Sequence, residues 1–281
     1  MPLKRFGTHH VHGFRYLHRR ILASPIGLAY YRGREMELMH RAMGFAALGF
    51  LTLVPLLIVV AAADPASGKG FARWLGQGLG VSASSQDEIA RLFNVPERTW
   101  KQTTSFGLAA LAVFGVTFGS VVQTGYEKVW DLPAARWHTM WRHVVWLAVL
   151  VFSLVLFVNI PPPRENPLRA MLIGLSDLVG TCLFFWWSQW ILLCARIRWR
   201  ALLPGAVVTA VALLGLRIFS QLVFSPQIAS NAVMYGPFGT VLVLQSWLVG
   251  IGVVVYGGAL VGRLIHELLT QRRLRRKYDE P

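Results

Sequence analysis

Long apolar runs separated by short charged stretches set the pattern of this chain. Six runs are long enough to cross about 30 Å of hydrocarbon, near residues 42–63, 104–122, 143–160, 170–193, 201–223 and 238–262. Each is read as a transmembrane α-helix, since a helix satisfies its own backbone hydrogen bonds within one segment of lipid-embedded chain. Pro161-Pro162-Pro163 stops the third run, and Arg196, Arg198 and Arg200 divide the fourth from the fifth. The pattern predicts an all-α membrane protein, a six-transmembrane-helix bundle. A basic N-terminal arm (1–41) precedes a transmembrane domain (42–262), and a basic tail (263–281) follows it. The first outer loop (64–103) is the longest, with two predicted amphipathic helices near 70–79 and 86–93. The first of these carries Phe71, Trp74, Leu75 and Leu79, suited either to the outer leaflet or to packing over the mouth of the bundle.

Composition reinforces this. Charged residues make up 15% of the chain, against about 25% in soluble domains, and the mean hydropathy is +0.49. The first apolar run begins near Ala42, after a long basic segment, so it is expected to stay as a membrane helix and not to be cleaved as a signal peptide.

The formal charge of +15 raises nucleic acid as a partner. No basic stretch carries the stacking aromatics of an RNA module, and Lys and Arg gather in the cytoplasmic loops of membrane proteins. Membrane lipids are therefore the expected partners, and nucleic acid is not. With the N-terminus inside, 20 Lys and Arg fall in cytoplasmic segments and 7 in outer ones, 5 of those in the long first loop. This bias predicts a multi-pass protein with both termini in the cytoplasm.

Candidate chemistry is sparse. Of 13 acidic residues only Asp177 lies well inside a predicted span, and there is no HExxH, P-loop, GxSxG or GxGxxG motif. The expectation is a protein without enzymatic activity, metal or cofactor. Cys182 and Cys194 lie twelve residues apart in one apolar run, about 18 Å along a helix, too far for a disulfide. His9, His10, His12 and His18 lack accompanying carboxylates or cysteines, and are read as part of an arm near anionic headgroups.

Ionisable residues within a span cost roughly 2.5–3.5 kcal/mol on insertion scales and are functional candidates by default. Two are present, Asp177 and Arg217, equidistant from Ile197 in the short connection between the fourth and fifth runs. In an antiparallel hairpin they share a depth, about 10 Å below the outer helix ends, and Gln245 and Ser246 come to a similar level on the sixth run. Asp177, Arg217, Gln245 and Ser246 thus form a predicted substrate-binding cluster. The charges could equally be an ion pair locking two helices. Gly115 and Gly119, and Gly258 and Gly262, form GxxxG patterns that permit close helix packing, within the chain or between copies as a homo-oligomer.

Several stretches in this order resemble the YihY/BrkB family of bacterial inner-membrane proteins, once labelled ribonuclease BN. They are Thr52-Leu53-Val54-Pro55, Gly125-Tyr126-Glu127-Lys128-Val129-Trp130, Pro204-Gly205-Ala206, Tyr235-Gly236-Pro237-Phe238-Gly239, then Trp247 and Gly258-Ala259. Leu260 stands where many members carry Glu. The resemblance implies a cell-envelope protein with a role in lipid or solute movement, and it brings no catalytic residues. A transporter or lipid translocator is the leading expectation, and a non-transporting scaffold acting through the 64–103 loop is the alternative.

Overall fold

A computed structural model describes residues 25–63, 100–135, 140–158, 167–235 and 237–279. Seven helices account for nearly all of them: α1 (Pro25–Glu35), α2 (Leu38–Ala63), α3 (Trp100–Val129), α4 (Met140–Val158), α5 (Pro167–Leu192), α6 (Trp199–Tyr235) and α7 (Pro237–Asp279). There is no strand among the described residues. The protein is therefore all-α. Four helices contain stretches long and apolar enough to cross a membrane: Ser105–Val129, Met171–Leu192, Trp199–Ser220 and Val241–Arg272. In α2 and α4 the apolar stretches among the described residues are Leu38–Leu53 and Met140–Leu156, and the α2 sequence stays apolar to Ala63. The N-terminal histidines and the two amphipathic helices predicted in the first loop lie outside the described residues.

Three helices outrun the apolar runs that predicted them. α3 continues to Val129, α6 to Tyr235 and α7 to Asp279, where hydropathy marked ends near 122, 223 and 262. Hydropathy reports which residues tolerate lipid, whereas a helix continues while its backbone bonds and propensities allow. The 43 residues of α7 make a rod of about 64 Å, roughly twice the hydrocarbon thickness. The tail predicted from residue 263 begins as the last turns of this rod.

Helix ends are shaped by left-handed residues. Asp131 (φ 48°) follows α3, and Cys194 and Ala195 (φ 57° and 56°) follow α5. Leu132 N–H donates to Glu127 O at 2.8 Å, and Ala195 N–H to Trp190 O at 3.0 Å. Both bonds close the six-residue loop of a Schellman cap, which satisfies the last carbonyls of a helix.

Paired contacts give the arrangement. Phe45 of α2 meets Phe118 of α3 edge-on at 4.9 Å, and Trp146 of α4 bonds Ser188 of α5. Gly205 of α6 faces Gly262 of α7, and Ala42 of α2 faces Gly252. Along each pair of neighbours, residue numbers rise on one helix as they fall on the next. The six helices α2 to α7 therefore run up and down in sequence order, and α7 closes the ring against α2. The α5–α6 turn and the α3–α4 connection lie at one end, here called the turn end.

Glycine sets the closeness of α6 and α7. A Cβ on Gly262 would run into the Gly205 backbone, and one on Gly258 would meet the Thr209 side chain and its Cα, the latter at 3.0 Å. The Gly258/Gly262 pattern thus packs helices within the chain. In α3, Gly115 receives the Leu147 side chain of α4, which would stand only 2.5 Å from a methyl carbon at that position, and Gly119 lies beside His143 and Trp146. By contrast α5 is thinly covered. Only 6% of its most apolar stretch is buried, against 50% in α7, and its buried positions (Ser188, Gln189, Ile191, Leu192) gather at the turn end.

Candidate functional site: a cavity inside the helix ring

The ring surrounds a half-open cavity of about 380 Å³ to which all six helices contribute. Its lining follows helical periodicity: Phe45, Gly49, Thr52 and Leu56 from α2; Phe118, Val122 and Tyr126 from α3; Asp177, Thr181, Phe184 and Ser188 from α5; Trp247, Ile251 and Val255 from α7. α4 adds Trp146, Leu150, Ser153 and Leu154, and α6 adds Leu213 and Arg217. The walls are mostly aliphatic and aromatic. Such a volume falls in the range of small-ligand pockets, which are characteristically apolar with a few placed polar groups.

Those polar groups separate along the bundle axis. Asp177 and Arg217 occupy the end away from the turn. Eleven residues of α5, about 16 Å, separate Asp177 from Ser188 near the turn end, where Tyr126 and Trp146 also lie. Trp146 Nε1 donates to Ser188 Oγ at 2.7 Å, and the Thr52 hydroxyl donates to Leu48 O at 2.7 Å. Trp247 Nε1 is buried without a hydrogen-bond partner among the described residues, and the Tyr126 hydroxyl lies beside Ser188. Tyr126 itself is wholly buried. It stands beside charged Glu127 and Lys128 in sequence, and the helix turns its ring inward.

Of the predicted cluster, Asp177 and Arg217 are brought to one cavity. They are near enough for their charges to interact, yet among the described residues no ion pair or hydrogen bond joins them. Gln245 and Ser246 are not among the lining residues, and the Ser246 hydroxyl donates to Leu242 O on its own helix at 2.9 Å. Depth was readable from spacing. Facing direction was not, and on α7 the inward positions are Trp247, Leu248, Ile251 and Val255.

Below the cavity the turn end is closed by a polar network. The buried Glu127 carboxylate accepts from Arg196 Nη2, from Gln123 Nε2 at 2.9 Å and from Ala135 N at 3.0 Å. Gln123 Oε1 meets His143 Nε2 at 2.5 Å. Arg196 also donates through Nη1 to Pro133 O at 2.6 Å and through Nε to Leu193 O at 3.0 Å. Nearby, Arg263 of α7 holds Asp131 and Glu267, both at 2.7 Å, and Glu267 in turn holds Arg32 of α1 at 2.9 Å. Sequence reasoning counted these arginines only as topology signals. Their partners lie more than 60 residues away in several cases, a distance that local pattern does not register.

A ring of apolar helices, four of them with stretches long enough to cross a membrane among the described residues, marks an all-α membrane protein. The chain belongs to the virulence factor BrkB family, whose model matches residues 29–280. No curated protein and no solved structure matches it significantly. The stretches that carry the family resemblance fall on the structural features above. Tyr126 and Glu127 stand between the cavity and the closed end, and Gly205 and Gly258 lie in the α6–α7 contact.

Proposed function

We propose that this protein is a transporter or lipid translocator of the bacterial cytoplasmic membrane, acting as a carrier and not as an enzyme. In this reading α2 to α7 are the six spans, the turn end faces the cytoplasm with both termini, and the cavity opens toward the outer half of the bilayer. The observation that carries it is the convergence of Asp177 and Arg217 on one apolar cavity without pairing to each other. An ionisable residue within a span costs free energy, and with Asp177 half-buried and Arg217 exposed both remain open to a charged ligand that would offset that cost. Membrane lipid is the partner. Self-association falls to the exposed helix faces, since Gly258 and Gly262 are occupied within the chain.

The test is movement of fluorescent lipid between leaflets of liposomes containing the purified protein. Wild type should accelerate it, and Asp177→Ala and Arg217→Ala should each abolish the acceleration while remaining folded by circular dichroism. Unchanged activity in both variants would refute this site. The scaffold alternative draws on the 64–103 loop, and no observation among the described residues favours it.

A further inference from the structure

Resting on the translocator reading, we infer that the cavity selects a zwitterionic amphiphile, with a head that carries an ammonium and an acidic phosphate or carboxylate on one apolar chain. Asp177 and Arg217 lie on adjacent helices at one end of the cavity, separated by more than an ion-pair distance. A zwitterion supplies the ammonium that Asp177 lacks and the anion that Arg217 lacks in a single molecule. A purely anionic head would meet Arg217 but be repelled by Asp177, and a cationic head would suffer the reverse. Charges of one sign held together in such an environment interact far more strongly than in water.

The rest of the lining fits the remainder of that ligand. Trp247 lines the same cavity, and its Nε1 is buried and unpartnered among the described residues. Between the charged end and Tyr126, the walls are Phe118, Phe184, Phe185, Leu150 and Ile251, a surface for an alkyl chain. The volume of about 380 Å³ equals that of roughly a dozen waters at ~30 Å³ each. That holds a small head and part of one chain, and it leaves the remaining tail to the bilayer beyond the thinly covered α5.

The test uses the purified full chain, immobilised in uncharged maltoside micelles, and three radiolabelled probes sharing a dodecyl chain: a phosphoethanolamine, a phosphate monoester and a trimethylammonium. Wild type should retain the phosphoethanolamine probe about tenfold more tightly than either other, the gain expected from about 1.4 kcal/mol of charge contact. Asp177→Asn should raise the phosphate monoester to parity, and Arg217→Gln should do the same for the trimethylammonium. Equal retention of the three probes by wild type, or a ranking unmoved by both substitutions, overturns the inference. If a variant fails to fold, the wild-type ranking alone decides. Selective retention without any translocation would defeat the translocator reading and leave this one standing, whereas translocation indifferent to head charge would defeat only this one.

Discussion

Glu127 of α3 is paired with Arg196 of the α5–α6 turn across 69 residues of sequence. The pair ties one side of the ring to the other at the level where the cavity ends. The Glu127 side chain is 6% exposed and that of Arg196 27%, so the carboxylate depends on its partner far more than the guanidinium does.

Arg196→Ala should therefore strand a buried carboxylate. Loss of one partner of a fully buried pair costs about 3–5 kcal/mol, and partial exposure of Arg196 brings the expectation to about 2–3 kcal/mol. Thermal unfolding in detergent would read this as a clear fall in Tm. Arg196→Ala combined with Glu127→Gln should recover part of it, because the amide leaves no uncompensated charge. A single substitution that leaves Tm unchanged would show that the pair contributes nothing.

The α6–α7 contact predicts unequal sensitivity among glycines of one helix. Gly262→Ala forces a methyl into the Gly205 backbone, whereas a methyl on Gly257 meets nothing within 4 Å. Overpacking of this kind costs about 1–3 kcal/mol or more. Gly262→Ala should lower Tm and Gly257→Ala should leave it level or slightly raise it. Equal effects of the two would mean that the helices do not approach at these positions.

Trp146 and Ser188 join α4 to α5 beside the cavity through one buried hydrogen bond of 2.7 Å. A double-mutant cycle with Trp146→Phe and Ser188→Ala should return a coupling of about 1 kcal/mol, the net worth of a neutral buried hydrogen bond. A coupling near zero would separate the two residues energetically.

The Arg32–Glu267 contact is a weaker fastening. About a third of each side chain is exposed, and such pairs contribute roughly 0.2–1 kcal/mol. Glu267→Gln should lower Tm slightly at low salt, and 0.5 M NaCl should erase the difference. A large, salt-independent loss would point to its contact with Arg263 instead.

Helix existence was legible because lipid imposes long apolar runs, and every predicted run coincides with a helix. Helix ends were not, because residues such as Gln123 and Glu127 look like loop residues until their partners are known. Asp177 and Arg217 could be placed at one depth by counting outward from Ile197. That method carries no angular information, so it included Gln245 and Ser246 and missed Trp247, two and one positions further along the same helix. Tyr126 was hidden for a different reason: its charged neighbours Glu127 and Lys128 do not show that the helix continues to Val129 and buries the ring. Gly258 and Gly262 were legible as a packing pattern, but only the folded chain identifies Thr209 and Gly205 as what they pack against.

The uneven cover of α5 has a mechanical consequence. The helix behaves as a cantilever, anchored by Ser188, Gln189, Ile191 and Leu192 and projecting from that anchorage with little packed behind it. Deflection of a beam held at one extremity grows toward the free tip, and Asp177 rides on that side. If the proposed amphiphile enters from the bilayer, the arm could yield while the ion pairs at the anchored extremity stay intact, so that admission to the cavity and integrity of the bundle would fall to separate parts of one helix.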